Sequence, residues 1–439
     1  MLLTIEKLIY GGDGLSRLPA DDRGRGKAVF VPFTLAVEKI EATLTEQKSG
    51  FARAKIDAVV EPSAHRIQPA CPYFTRCGGC HYQHTTYEHQ LEIKQEILRE
   101  TLRRVAKIEL PGEIEVHPSP PWNYRNRSRL QIRVGPTFAA GYFKLSSHDL
   151  LPVEECPISS PLINRGIAAL WQSGRANKVP AGVREVEFFA NADDAQMLVE
   201  VRCTHEARRA AVRSWIEDLR AALPAITGAV AFRETEHNSD AAEKLVSDGV
   251  QFLTYHTQRG DYRVSAGSFF QINRHLTGEL VKIVTQGQSG TLALDLYAGV
   301  GLFSTALSAF ERVISVESSQ TSAADLAYNQ PANGKAVQAT AEHYLARAES
   351  SGKTRTDADL DSKPGFVVVD PPRSGLGERV ARSLAALGAA RLTYVSCDPA
   401  TLARDLVILL AAGYRVERAH LVDLFPQTYH LESVLQLAL

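Results

Sequence analysis

No stretch of this 439-residue chain approaches the roughly 20 consecutive apolar residues that a membrane-crossing helix needs, so no membrane association is expected. The opening residues, MLLTIEKLIYGGDG, lack the basic region and small-residue cleavage site of a secretory signal, which makes the expected location cytoplasmic. Charge of one sign is missing too: 49 Lys+Arg against 50 Asp+Glu leave a net charge of −1. That balance neither favours nor excludes nucleic acid, because a local patch rather than net charge binds phosphate. Cysteine is sparse, with six in the chain: Cys71, Cys77, Cys80, Cys156, Cys203 and Cys397. In a reducing compartment they do not suggest a disulfide framework, and clustered thiols there more often ligate metal or do chemistry. Nothing points to an obligate protein partner, and no internal repeat is visible.

What is present is enough apolar sequence, 44%, for full cores, in a length that suggests two or three domains. Residues 1–60 read as short alternating strands with glycine turns, the pattern of a small OB-like β-barrel. After a Pro-rich connector, "YEHQLEIKQEILRETLRRVAKI" is helical. Leu91, Leu98, Leu102 and Val105 recur on one face with charges between them, which predicts a helix over about 85–112 packed on the last domain. Residues 61–262 otherwise alternate as a mixed α+β domain interrupted by one helix, "HEARRAAVRSWIEDLRAAL". From 263 to 439 apolar strands alternate with helices, the mark of a doubly wound α/β sheet buried on both faces. "SGKTRTDADLDSKPG", Ser351 to Gly365, reads as a polar surface loop.

"LALDLYAGVGLFS" ends an apolar strand at Asp295 and continues into Gly299 and Gly301, where the backbone can turn tightly and approach a ligand. The next strand ends at Glu317, about 20 residues on, where a carboxylate can accept both hydroxyls of a ribose. Ser304 stands where a dinucleotide fingerprint has its third glycine, which favours S-adenosylmethionine over NAD. In "VVVDPPRSGL", Asp370 and two prolines lie at a strand's C-terminal end, where open α/β sheets bind ligands.

Two groups of cysteines remain. Cys71, Cys77 and Cys80 share one short loop, with Cys156 as a candidate fourth ligand, and four thiolates suit either zinc or an iron–sulfur cluster. Cys203 reads as a plain strand residue. Cys397, in "YVSCDPATLARDL", is by itself compatible with a metal ligand, a redox partner, a core residue or a nucleophile. Asp398-Pro399 reads as the N-cap and first turn of a helix, whose N-terminus would stabilise a thiolate.

"DPPRSGL", "SCDPATLARDL" and "FPQTYHLESV" resemble the catalytic-domain motifs of the RNA uracil-C5 methyltransferases, of the 23S rRNA (RumA) and tRNA (TrmA) types. "CPYFTRCGGCHYQH" resembles the iron–sulfur stretch of the rRNA branch, and "EKLIYGGDGLSRL…KAVFVPF" its N-terminal TRAM domain. The barrel's usual Pro-Gly-Glu turn reads Ala36-Val37-Glu38 here. The resemblance implies a Rossmann-like class I methyltransferase domain behind a TRAM barrel and a central α+β domain. It implies a [4Fe–4S] cluster on Cys71, Cys77, Cys80 and Cys156, with zinc as the alternative, in a structural role. It also implies cofactor contacts at Gln271, Tyr297, Gly299, Gly301, Glu317 and Asp370. The expected activity is methyl transfer from S-adenosylmethionine to C5 of a uridine in RNA.

Uracil C5 is a poor nucleophile. A thiolate adding to C6 makes it reactive, which is the task Cys397 suits, and Glu432 is the candidate base for the C5 proton. 23S rRNA is the expected substrate, with tRNA as the alternative. An amino-group methyltransferase would share Asp-Pro-Pro but has no need of Cys397 with Glu432. A non-catalytic RNA-binding protein would not need intact Cys397, Glu432, Asp370 and Glu317. For RNA itself, Arg125, Arg127, Arg129 and Arg133 alternate on a strand and predict a phosphate-binding face. Phe269 and Phe270 are each readable as a base-stacking ring or as core.

Overall fold

The computed structural model describes residues 1–19, 26–235, 238–350 and 362–439, so most of the polar stretch at 351–365 lies outside the described residues. In the N-terminal region the edge strands of a six-stranded sheet, Leu2–Thr4 and Lys7–Leu8, are separated by only two residues. A flat sheet cannot bring its two edges that close, so this one curls into an OB-like barrel around Leu3, Ile5, Val29, Val31, Ile40 and Ala52. The Ala36-Val37-Glu38 turn puts Val37 at φ 64°, left-handed backbone that a β-branched residue seldom adopts. Buried Glu38 anchors the turn: it accepts from the amides of Leu35 (2.8 Å) and Ser63 (3.2 Å) and from the Arg66 guanidinium (2.7 Å).

The helix after the connector is α-helical from Tyr87 to Thr101 and then widens into a π turn, Leu102–Ala106. The wider turn shifts the face by which residues point inward. Leu102 is therefore buried, while Val105, expected on the apolar face, is exposed. One charge expected to face solvent does not: Lys94 is fully buried.

The central sheet has seven strands in the order Leu150–Pro152, Ala139–Phe143, Arg127–Arg133, Val183–Ala190, Met197–Cys203, Ile226–Thr235 and Asn238–Gly249. Two helices pack on it, not the one expected. Besides Arg209–Ala222 there is Pro161–Arg175, started by the Ser160 cap and Pro161 in its first turn. Cys203 is buried in this core.

In the C-terminal region the strands are β1 (Gly290–Leu296), β2 (Phe310–Glu317), β3 (Gly334–Gln338), β4 (Phe366–Val369), β5 (Arg391–Ser396), β6 (Arg415–Val422) and β7 (Ser433–Ala438). Their order is β3-β2-β1-β4-β5-β7-β6, parallel except for β7. Glu115–His117 pairs with β6 and extends this sheet to eight strands, so that segment belongs here and not to the central sheet. All of β4 and nearly all of β5 is buried because both faces are covered. One face packs on Ile93, Ile97, Leu98 and Leu102 of the Tyr87–Ala106 segment and on helices Gly377–Leu387 and Pro399–Ala411. The other packs on Phe270, Tyr255, Tyr262 and helix Thr277–Thr285.

Candidate active site

β1, β2, β4 and β5 run parallel, so their C-terminal ends open at one edge of the sheet. β7 runs against β5 in the register Ser396↔Ser433. One step beyond β5 is Cys397 and one step before β7 is Glu432, so antiparallel pairing places the two side by side. Both line a cavity of about 780 Å³, together with Gln271, Tyr297, Gly299, Glu317 and Asp370. Gly301 does not line it. At φ 96°, with a built Cβ only 3.0 Å from Leu326, that glycine serves the turn and its close packing.

The cavity's first half follows β1 and β2. Tyr297 is held at φ 64° and Gly299 at φ 57°, a backbone twist that aims the Gly299 amide at Glu317 Oε2 (2.9 Å). Glu317 Oε1 accepts from the Ser319 amide at 2.7 Å, which orients its carboxylate toward the space above β1. Ser304 donates to the buried Asp295, and that contact explains a hydroxyl where a dinucleotide site would want glycine. Burial pushes Asp295 up to about 7, and burial beside Asp295 does the same for Asp370.

In the second half, Asp398 engages the helix that follows it. Its carboxylate accepts from the amides of Ala400 (2.9 Å) and Thr401 (3.0 Å) and caps the helix. The helix N-terminus does not by itself yield a thiolate, however. Burial raises Cys397 to about 12, helped by Glu432 and Asp370 and opposed by Arg373. Burial, with Asp370 nearby, also raises Glu432 well above the usual carboxylate range.

The sequence reading missed several residues. Arg373 follows the two prolines, lines the cavity and lies 3.0 Å from the His430 ring nitrogen. Burial pushes that imidazole down to about 3. Tyr10, from the barrel, donates its hydroxyl to the Cys397 carbonyl at 3.0 Å and meets the Tyr429 ring edge-on. Arg373 and His430 sit inside motifs that could have marked them. No signal in the sequence pointed to Tyr10, which is 387 positions from Cys397. Phe269 is exposed at the cavity mouth, whereas Phe270 belongs to the core.

A second cavity, of about 590 Å³, is lined by Cys71, Cys77, Cys80 and Cys156. Four thiols from two distant segments facing one space fit a thiolate-bound metal centre, and burial raises Cys71 and Cys77. His81 and His84 are elsewhere: His81 packs on Tyr429, and His84 lies 3.3 Å from the Thr34 carbonyl. The arginine strand needs correction. Arg127 and Arg129 are paired with Glu187 on the neighbouring strand, and Arg127 lies over the Phe189 ring, so the alternation does not make an open phosphate face. Glu115, His117 and His420 also converge, but the Arg418 guanidinium sits 2.7 Å from Glu115 where a cation would be repelled.

With this geometry in place, a family model for tRNA (uracil-5-)-methyltransferases matches residues 86–438. The chain belongs to that family. It is an S-adenosylmethionine-dependent RNA (uracil-5-)-methyltransferase. The methyltransferase is 34% identical over 440 residues to an uncharacterized RNA methyltransferase of Aquifex aeolicus, covering 98% of this chain and 97% of the relative. It is 32% identical to the 23S rRNA (uracil(1939)-C(5))-methyltransferase RlmD of Pseudomonas fluorescens, covering 98% and 90%. A Pyrococcus abyssi tRNA (uracil-54, C5)-methyltransferase solved with S-adenosyl-L-homocysteine superposes with a TM-score of 0.73. At 22% identity over all of both chains it shares the fold.

Proposed function

We propose that the methyltransferase acts on a uridine of 23S rRNA through a covalent adduct between Cys397 and uracil C6. The observation that carries this reading is the pairing of Cys397 and Glu432 at one cavity, set by the Ser396↔Ser433 register. Bound S-adenosylmethionine would supply an electrophilic methyl on a sulfonium; Gln271, Tyr297, Gly299, Glu317 and Asp370 would hold it, with Gly301 shaping the turn. The target uridine is extruded from its RNA to reach the cavity. Cys397 first loses its proton to solvent, which the sulfonium charge favours; its thiolate Sγ then adds to C6, the ring electrons move onto C5 and O4 as an enolate, and C5 takes the methyl group as the C–S electron pair stays on the donor sulfur. Glu432 then removes the C5 proton, the C5=C6 double bond re-forms and the C6–S bond breaks. Burial and Asp370 favour the protonated form of Glu432, so it must first release that proton; the sulfonium charge of bound S-adenosylmethionine favours the carboxylate the step needs.

The rRNA substrate is favoured by the RlmD relative, which aligns over nearly the whole chain. The tRNA alternative follows from the description of the matching family. We assign residues 1–60 as a TRAM barrel that binds RNA, 61–262 as a central region holding the thiol site, whose Tyr87–Ala106 helix and Glu115–His117 strand join the C-terminal sheet, and 263–439 as the catalytic domain. The thiol site fits a [4Fe–4S] cluster in a structural role, with zinc as the alternative. Anaerobic purification with iron and sulfide analysis decides between them, and a colourless protein with one zinc refutes the cluster. Among the described residues no helix is long and apolar enough to cross a membrane, and the cytoplasm is the proposed location.

The deciding experiment uses RNA containing 5-fluorouracil. Its C5 fluorine cannot leave as a proton, so the adduct should be trapped as a complex that survives denaturation. Absence of that complex overturns the covalent route. Mapping methylated uridines in cells lacking the protein assigns rRNA or tRNA.

A further inference from the structure

Between β6 and β7 runs the loop Asp423–Leu431, which delivers Glu432 to the cavity. Five successive carbonyls of this loop accept hydrogen bonds from segments outside the β6–β7 hairpin. Asn273 donates to those of Asp423 (3.4 Å) and Leu424 (3.2 Å), and Lys94 to that of Phe425 (2.9 Å). The Tyr124 hydroxyl donates to the Pro426 carbonyl (3.0 Å), and the amides of His81 and Tyr82 both donate to that of Gln427 (2.9 and 3.0 Å). Gln427 itself sits at φ 68°, a strained conformation for a non-glycine residue, and such conformations persist only where the surroundings enforce them.

Two side chains of the Tyr87–Thr101 helix do most of the enforcing. Gln90 makes a two-way amide pair with Gln427: its Nε2 donates to Gln427 Oε1 (3.0 Å) and its Oε1 accepts from the Gln427 amide (2.9 Å). Lys94, fully buried, also ion-pairs with buried Asp423 at 2.6 Å, and the Tyr87 hydroxyl donates to the other Asp423 oxygen (2.9 Å). A buried ion pair contributes little net stability against an apolar alternative, so its retention here is better explained by geometry than by strength. We propose that Gln90 and Lys94 are positioning residues for the base, fixing the Asp423–Leu431 loop so that Glu432 meets the C5 proton. The inference rests on the reading of Glu432 as that base. His81 and Tyr82 follow directly on Cys80, so the thiol-bearing loop grips the same carbonyl and joins the same clamp.

The test uses the full-length protein, labelled S-adenosylmethionine and two RNAs. Trapping of 5-fluorouracil RNA requires attack by Cys397 and methyl transfer but not C5 deprotonation. A covalent complex with unmodified RNA accumulates only when deprotonation lags. For Gln90→Leu and Lys94→Met the expectation is a fall in kcat of about 10- to 100-fold, the scale of a catalytic group displaced by roughly an ångström. Trapping of fluorouracil RNA should stay within about twofold of the native rate, and the methylated adduct on unmodified RNA should build up, as for Glu432→Gln. Lys94→Met combined with Asp423→Asn, which removes the stranded charge, should recover part of the loss. Should Lys94→Met fail to fold, Gln90→Leu and Tyr124→Phe, which deletes a single hydroxyl, carry the same comparison. A parallel fall in trapping and turnover, or no adduct on unmodified RNA, overturns the positioning role. If native protein fails to trap fluorouracil RNA, the covalent reading itself is wrong, a result separable from the first.

Discussion

Burial first, and then the carboxylates of Glu432, Asp370 and Asp398, push the Cys397 thiol up to about 12, which favours the protonated form near neutral pH. A positive charge placed in the cavity should reverse part of that, because it favours the ionised thiol and disfavours its protonation. Without cofactor, alkylation of Cys397 by iodoacetamide should be slow at pH 8 and rise about tenfold per pH unit up to about pH 11, as the thiolate fraction grows. Addition of S-adenosylmethionine should speed alkylation relative to S-adenosyl-L-homocysteine, which fills the same space without the sulfonium charge. Equal rates with the two would remove the electrostatic argument. Replacing Cys397 with Ala should abolish both methylation and the fluorouracil adduct while leaving cofactor binding, measured calorimetrically, unchanged. That Cys397 and Glu432 were candidates for the chemistry was legible from "SCDPATLARDL" and "HLES". Their pKa directions were not, since burial and the Asp370 charge arise only when distant segments meet.

At the scale of single elements, two local features separate capping from chemistry. Asp398 caps the Pro399–Ala411 helix and its charge also raises Cys397. Asn caps about as well as Asp, so Asp398→Asn should keep thermal stability while making Cys397 more reactive to iodoacetamide, whereas Asp398→Ala should cost about 1 kcal/mol of stability. In the barrel, Val37 occupies left-handed backbone at φ 64° in the turn whose usual residue is glycine. Val37→Gly should raise the stability by about 1 kcal/mol, read as a higher Tm, because it relieves a β-branched clash. The helix after the connector was legible from its periodicity, but its π turn and the burial of Lys94 were not. A period records which residues recur on a face; it does not show that one of the charges between them has a buried partner 329 positions away.

Across the whole molecule, the barrel, the thiol-bearing loop and the catalytic sheet meet at one spot. Tyr10 of the barrel, His81 of the loop and His430 of the catalytic domain all pack around the Tyr429 ring. Tyr10→Phe keeps that packing and removes only the hydroxyl that holds the Cys397 carbonyl. Turnover should then fall by up to about tenfold, about the value of one hydrogen bond, with RNA affinity unchanged in a filter-binding assay. An unchanged kcat would mean that the barrel touches the Cys397 backbone without tuning it. The family resemblance extended over nearly the whole chain, and it named Gln271, Tyr297, Gly299, Glu317 and Asp370, which line one cavity, and Cys71, Cys77, Cys80 and Cys156, which line another. It did not show that Arg127 and Arg129 face Glu187, with Glu185 and Glu200 also beside Arg129, because strand alternation is blind to the charges on the next strands.

The sequence alone was enough to reach the doubly wound domain, the strand-end residues that line the larger cavity and the four grouped cysteines. Those features depend on short-range patterns: apolar runs, glycines after strands, a cap before a helix. Only the tertiary structure decided that Cys397 is a half-buried thiol, that Glu432 lies beside it, and that five carbonyls of one loop are gripped from outside it. Each of these depends on groups distant in sequence meeting in a low-dielectric interior, where desolvation and nearby charge determine the protonation state and unpaired polar atoms must find partners.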